Sequence, residues 1–83
     1  MNITFTKHAL EKFAVLERHS FSVSKEQVIE AVQSPDLIDE SRLPLLIAQR
    51  SIDPEHVLRV VYRQEEDVIV VITFYPGRKK QYD

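Results

Sequence analysis

Apolar residues change their spacing once along this chain, and the change divides it into a helical half and an extended half. From residue 7 to about residue 18, Ala9, Leu10, Phe13, Ala14 and Leu16 recur at three- and four-residue spacing. That period predicts an amphipathic helix, with Thr6 as its N-cap. A second helix starts at Ser24, where Gln27 completes a capping box and Val23 with Val28 forms a hydrophobic staple. Val28, Ile29, Ala31 and Val32 give it an apolar side, and Ser34-Pro35-Asp36 ends it, because proline disfavours helical geometry in the residue before it.

Beyond Pro35 the pattern is extended. Residues 37–40 read as a short edge strand. Residues 45–52 form a second strand, turned by Asp53-Pro54-Glu55, and residues 57–63 a third. After the turn Glu65-Glu66-Asp67 comes the most apolar run of the chain, residues 68–75 (VIVVITFY), which Pro76-Gly77 is expected to stop. Apolar positions on both of its faces predict a central strand. Residues 3–5 are an extended opening and residues 79–82 a last short strand. The expected fold is a single α+β domain over residues 1–83, with two N-terminal helices packed on an antiparallel meander of three to four strands. Its expected core is Leu10, Phe13, Val28, Ile29, Val32, Val60, Val70, Ile72 and Phe74.

Composition narrows the possibilities. A chain of 83 residues without cysteine has neither disulfides nor thiolate zinc sites to hold it together, so one apolar core must suffice, and a homodimer would add to it. No apolar run approaches the ~20 residues that span a bilayer, and no charged and apolar leader pattern is present. The expectation is a cytoplasmic protein with no membrane partner. The net charge of −2 argues against a nucleic-acid coating protein. Its distribution is uneven, however: residues 1–23 sum to +1, residues 24–42 to −3 and residues 43–83 to zero. Because screening limits the reach of distant charges to ~10 Å, an acidic chain can still carry a local basic cleft.

Several residues could carry chemistry. His8 falls in the first turn of the first helix, where the partial positive charge of the helix end disfavours imidazolium and leaves the ring able to accept a proton. The plainer account is a boundary histidine that packs its ring. Arg59 and Arg63 lie four apart on one strand and so share a face. With a three-residue turn at 65–67 that face also holds Thr73 and Tyr75, and with a two-residue turn it holds Ile72 and Phe74. The sequence leaves this register open. Arg78, Lys79 and Lys80 follow the central strand directly, with Tyr82 behind them, an arrangement suited to a phosphate and a stacked base. The plainer account is a solvated tail. A site shared by His8 and Arg78 requires the N-terminus of the first helix to face the C-terminal end of the central strand. No spacing of His, Asp and Glu resembles a metal site, and no glycine-rich phosphate loop exists, so neither metal nor cofactor is expected.

The order of these pieces carries a resemblance. Thr6-Lys7-His8-Ala9-Leu10-Glu11-Lys12-Phe13, the stretch from Val23-Ser24-Lys25-Glu26-Gln27-Val28 to Ser34-Pro35-Asp36, and Val70-Val71-Ile72-Thr73-Phe74-Tyr75-Pro76 together resemble a family of small bacterial and archaeal domains. That family is grouped with the BrnT and RelE/ParE-like toxins of toxin–antitoxin systems. The resemblance implies a RelE-like fold and metal-independent cleavage of RNA through 2′-hydroxyl attack. It implies His8, Tyr75 and Arg78 as catalytic residues. Lys12 (where the family usually has arginine), Arg59, Arg63, Thr73, Lys79, Lys80 and Tyr82 would bind substrate. The alternative it implies is a non-catalytic module of the same fold that binds a protein partner such as an antitoxin, whose strand would add to an exposed sheet edge.

Overall fold

A computed structural model describes residues 2–82 of the chain. The elements run β1 (Asn2–Phe5), α1 (Lys7–Arg18), α2 (Lys25–Gln33), β2 (Leu37–Asp39), β3 (Leu46–Ser51), β4 (His56–Glu65), β5 (Val68–Arg78) and α3 (Lys79–Tyr82). The α+β class is as expected, but the sheet is larger and mixed. Its five strands lie in the order β1-β5-β4-β3-β2, with β1 parallel to β5 and every other pair antiparallel. The opening residues are thus a strand in their own right. No helix among the described residues is long and apolar enough to cross a membrane.

Local signals set the helix starts. The Thr6 hydroxyl oxygen accepts from the Ala9 N–H at 3.1 Å and caps α1. The same hydroxyl donates to the Ile72 carbonyl at 3.1 Å, and the Thr6 N–H donates to the Val71 carbonyl at 3.0 Å, fastening the helix start to the middle of β5. Ser24 and Gln27 form the reciprocal capping box that the sequence predicts. From Thr6, α1 runs along β5 toward its C-terminal end. The Phe13 ring sits 4.6 Å from that of Phe74, and Phe21, just past the helix, meets His56 edge-on at 5.4 Å.

Both long helices cover one face of the sheet, where Ala9, Leu16, Val28, Ala31, Val32, Leu58, Val60, Val71 and Phe74 form the core. Leu10 is 49% exposed, contrary to expectation. The buried stripe of α1 runs through Ala9, Phe13 and Leu16, and one residue's rotation, about 100°, carries Leu10 off it. Ile29 is only half-buried, and Val70 is buried on the opposite face.

The β4–β5 register resolves an ambiguity. The hairpin turn has two residues, Glu66 and Asp67, since Glu65 pairs with Val68; Glu66 takes the left-handed φ of 54°. A two-residue turn alone would have placed Arg59 on the face of Ile72 and Phe74. Instead, Val61 pairs with Thr73 while Tyr62 pairs with Val71, so Ile72 is an extra, bulged residue. The bulge restores the other parity, and Arg59 lies opposite Tyr75. Nor do Pro76 and Gly77 end β5: they pair with Leu58 and Val57, and the strand continues to Arg78. Because β1 stops opposite Val71, that flank of β5 is an edge from Ile72 onward, where proline is tolerated. Residues 79–82 then form a helical turn rather than the expected strand.

Candidate functional site

The face of the sheet opposite the helices carries a polar cluster built around Arg59. Strand alternation places Gln49 of β3, Arg59 of β4 and Tyr75 of β5 side by side, because Arg59 is the register partner of both. Arg59 is only 6% exposed. Its Nε donates to the Tyr75 hydroxyl at 3.0 Å, Nη1 to Gln49 Oε1 at 2.5 Å, and Nη2 to Asp39 Oδ2 of β2 at 2.8 Å. Tyr82 of α3 lies over the guanidinium, 4.2 Å from its centre. Burial works against the charge, but the Tyr75 hydroxyl and then Asp39 outweigh it and raise the Arg59 pKa above the ordinary arginine value. Hydrogen bonds from Ser41, then from Arg59, hold the Asp39 carboxyl well below the usual carboxylate range.

Gly77 is the only glycine of the chain, and its place in a strand has a cause. A Cβ there would lie 2.4 Å from Cε2 of Tyr82. The absent side chain is what lets α3 fold back and set the Tyr82 ring on Arg59. Beside this cluster opens a cavity of about 430 Å³, lined by Asp39, Ser41, Arg42, Arg59, Tyr75 and Tyr82 among others.

The residues chosen from the sequence divide among three places. Arg59, Tyr75 and Tyr82 meet at the cavity; half-buried Thr73 lies opposite Val61 on the same face but does not line it. Arg63 shares that face nearer the hairpin turn, where it is exposed and its Nε pairs with Glu65. Arg78, Lys79 and Lys80 line a different cavity, beside Pro54 and Glu55. His8 is exposed on the first turn of α1, with Lys12 one turn further along. The expected meeting of His8 with Arg78 does not occur. The start of α1 is anchored at Ile72, and the six residues from there to Arg78 span about 20 Å of strand at about 3.3 Å each. It is the C-terminal end of α1, through Phe21, that approaches the pair His56–Arg78.

Two partners of Arg59 carry no signal in the sequence pattern alone. Gln49, 5% exposed within an apolar strand, and Asp39 in the short edge strand are both legible afterwards as polar residues that a buried arginine requires. Among the described residues, no group of three histidine or acidic side chains gathers where a metal ion could be held. Comparison with protein-family models, with curated proteins and with solved structures finds no match to this chain.

Proposed function

We propose that this chain is a RelE-like, toxin-type domain that binds RNA on its open sheet face and cleaves it without a metal, by attack of the 2′-hydroxyl. The observation that carries the reading is the convergence of Arg59, Tyr75 and Tyr82 on one cavity of about 430 Å³, on the face the helices leave uncovered. Further support comes from the two consecutive helices packed on a sheet whose antiparallel strands β2 to β5 follow chain order. In this site Arg59 supplies fixed positive charge for the crowded phosphate of the transition state. The 2′-hydroxyl gives up its proton to solvent as its oxygen attacks phosphorus, and the Tyr75 hydroxyl, which accepts from Arg59 Nε, passes its own proton to the departing 5′-oxygen and regains one from solvent. Tyr82 offers a ring on which a base can stack. His8 has no part in this arrangement.

A specific observation favours the second reading, an interaction module that binds a protein partner. At least three donors of Arg59 are already engaged within the chain, and its carboxylate partner Asp39 neutralises it. A cluster so satisfied also serves as a rigid docking surface. Close by, edge strand β2 and the segment after it expose Leu37, Ile38 and Leu43, a place where a partner's strand can add.

The two readings separate in one set of measurements on the purified chain and a Tyr75→Phe variant. Catalysis predicts cleavage of single-stranded RNA in the presence of a chelator, ending in a 2′,3′-cyclic phosphate, with Tyr75→Phe slower by about 10²-fold or more at unchanged RNA affinity. Absence of cleavage, or growth arrest on expression that Tyr75→Phe leaves untouched, would count against catalysis and leave the module as the reading.

A further inference from the structure

The turn at residues 53–56 and the tail of β5 meet at one end of the sheet, away from the Arg59 cavity. His56 and Arg78 are direct cross-strand partners, so their side chains leave the sheet on one face with Cβ atoms about 5 Å apart. The turn is braced from within. Asp53 Oδ1 accepts from the N–H groups of Glu55 and His56, both at 2.8 Å, and meets His56 Nδ1 at 2.9 Å. The Glu55 N–H, followed by the His56 ring and N–H, holds the Asp53 carboxyl below its ordinary value. The turn is also tied to the tail, because the Lys79 N–H donates to the Glu55 carbonyl at 2.9 Å. Between the two segments lies a cavity of about 410 Å³, lined by Pro54, Glu55, Arg78, Lys79 and Lys80.

Charge sets this cavity apart. Arg50, Arg59 and Arg63, the arginines of β3 and β4, are paired with Glu30, Asp39 and Glu65 respectively. Among the described residues, neither Arg78, Lys79 nor Lys80 has a carboxylate partner. Among the described residues, three cations and one carboxylate, that of Glu55, therefore line one concavity whose walls are joined through the backbone. A solvated tail would spread its charges; this one is held against a braced turn by a main-chain hydrogen bond.

We propose that this cavity is a phosphate-binding site, separate from the Arg59 cavity and joined to it by α3, whose Lys79 and Lys80 line one and whose Tyr82 lines the other. Arg78 grips two phosphate oxygens with its planar fork, and the two lysines act as point charges. The phosphate can belong to an RNA backbone or to the terminus of a nucleotide; the chemistry recognised is the same.

The test follows backbone amide resonances of the full chain during titration at constant ionic strength with inorganic phosphate, with a nucleoside 5′-monophosphate, and with a short single-stranded RNA. The expected result is a saturating shift of the Glu55, His56, Lys79 and Lys80 amides in at least one titration. Its midpoint should rise several-fold in Arg78→Lys, which keeps the charge and loses the fork, and further in a Lys79→Ala/Lys80→Ala double variant. Unshifted amides elsewhere would show that these substitutions leave the fold intact. Saturation by RNA assigns the ligand as a phosphodiester, and saturation by the small phosphates alone assigns a terminal phosphate. No saturation with any of the three, or equal shifts at Lys7 and Lys12, overturns the site. Because inorganic phosphate is a sufficient probe, the outcome does not depend on whether the open face acts on RNA.

Discussion

Arg59 poses a clear energetic problem, a full charge 6% exposed in the middle of a sheet. Breaking a buried ion pair strands the remaining charge, which is why such pairs matter more when cut than when formed. Asp39 is the partner, and its depressed carboxyl ties the cluster to pH. A carboxylate whose folded pKa lies below its unfolded value, ~3.9, contributes stability above that unfolded value. The contribution shrinks as pH falls toward the folded one. Asp39→Asn should therefore be less stable than the parent chain at pH 7 by a margin that is flat down to about pH 5. The margin should then narrow steadily into acid. Denaturant midpoints of both chains across pH 3–7, an interval around that unfolded value, measure it directly. A margin that stays constant to the lowest pH would mean that neither Ser41 nor Arg59 depresses the Asp39 carboxyl in the folded chain.

At the scale of elements, what the sequence revealed was local. Thr6 and the Ser24–Gln27 box act within one turn, and both helix starts fall where the side chains place them. What stayed hidden depends on partners distant in sequence. β1 is a strand only because β5 lies beside it, 66 residues on. The continuation of β5 through Pro76 and Gly77 depends on β1 having ended. The bulge at Ile72 has no signature in VIVVITFY, yet it decides which face Arg59 occupies. It also changes what truncation should cost. Phe74 is fully buried against Phe13, so Phe74→Ala should lose about 3–5 kcal/mol. Ile72, unpaired in the ladder and half-buried, should lose less than about 2 kcal/mol on truncation to alanine. Chemical denaturation of the two variants tests the order. Equal losses would place Ile72 in the core and remove the bulge.

For the molecule as a whole, stability and candidate chemistry occupy opposite faces of one sheet. Helices α1 and α2 bury the core on one side. On the other side and at its end lie the Arg59 cavity and the basic tail cavity, linked by a helix of four residues with no buried side chain. The sequence points to most of these residues but leaves their grouping open. Arg59, Tyr75 and Tyr82 belong to three separate stretches of sequence, Arg78 pairs with His56 at the 53–56 turn rather than meeting His8, and nothing local in either segment announces that contact. Because α3 adds little to the core, it should be separable from the fold. A chain ending at Arg78 should keep its cooperative melt, with a midpoint lower by no more than about 8 °C, the upper shift that ~1 kcal/mol produces in a domain of this size. The same truncation uncovers Arg59 by removing Tyr82 and strips two cations from the tail cavity. Its affinity for single-stranded RNA should therefore fall, and the slope of log affinity against log salt should flatten by about 1.4, for two lost contacts at ~0.7 each. Loss of the cooperative melt would instead make α3 part of the folding unit. An undiminished salt slope would remove the tail from the RNA-binding surface even if the open face still binds.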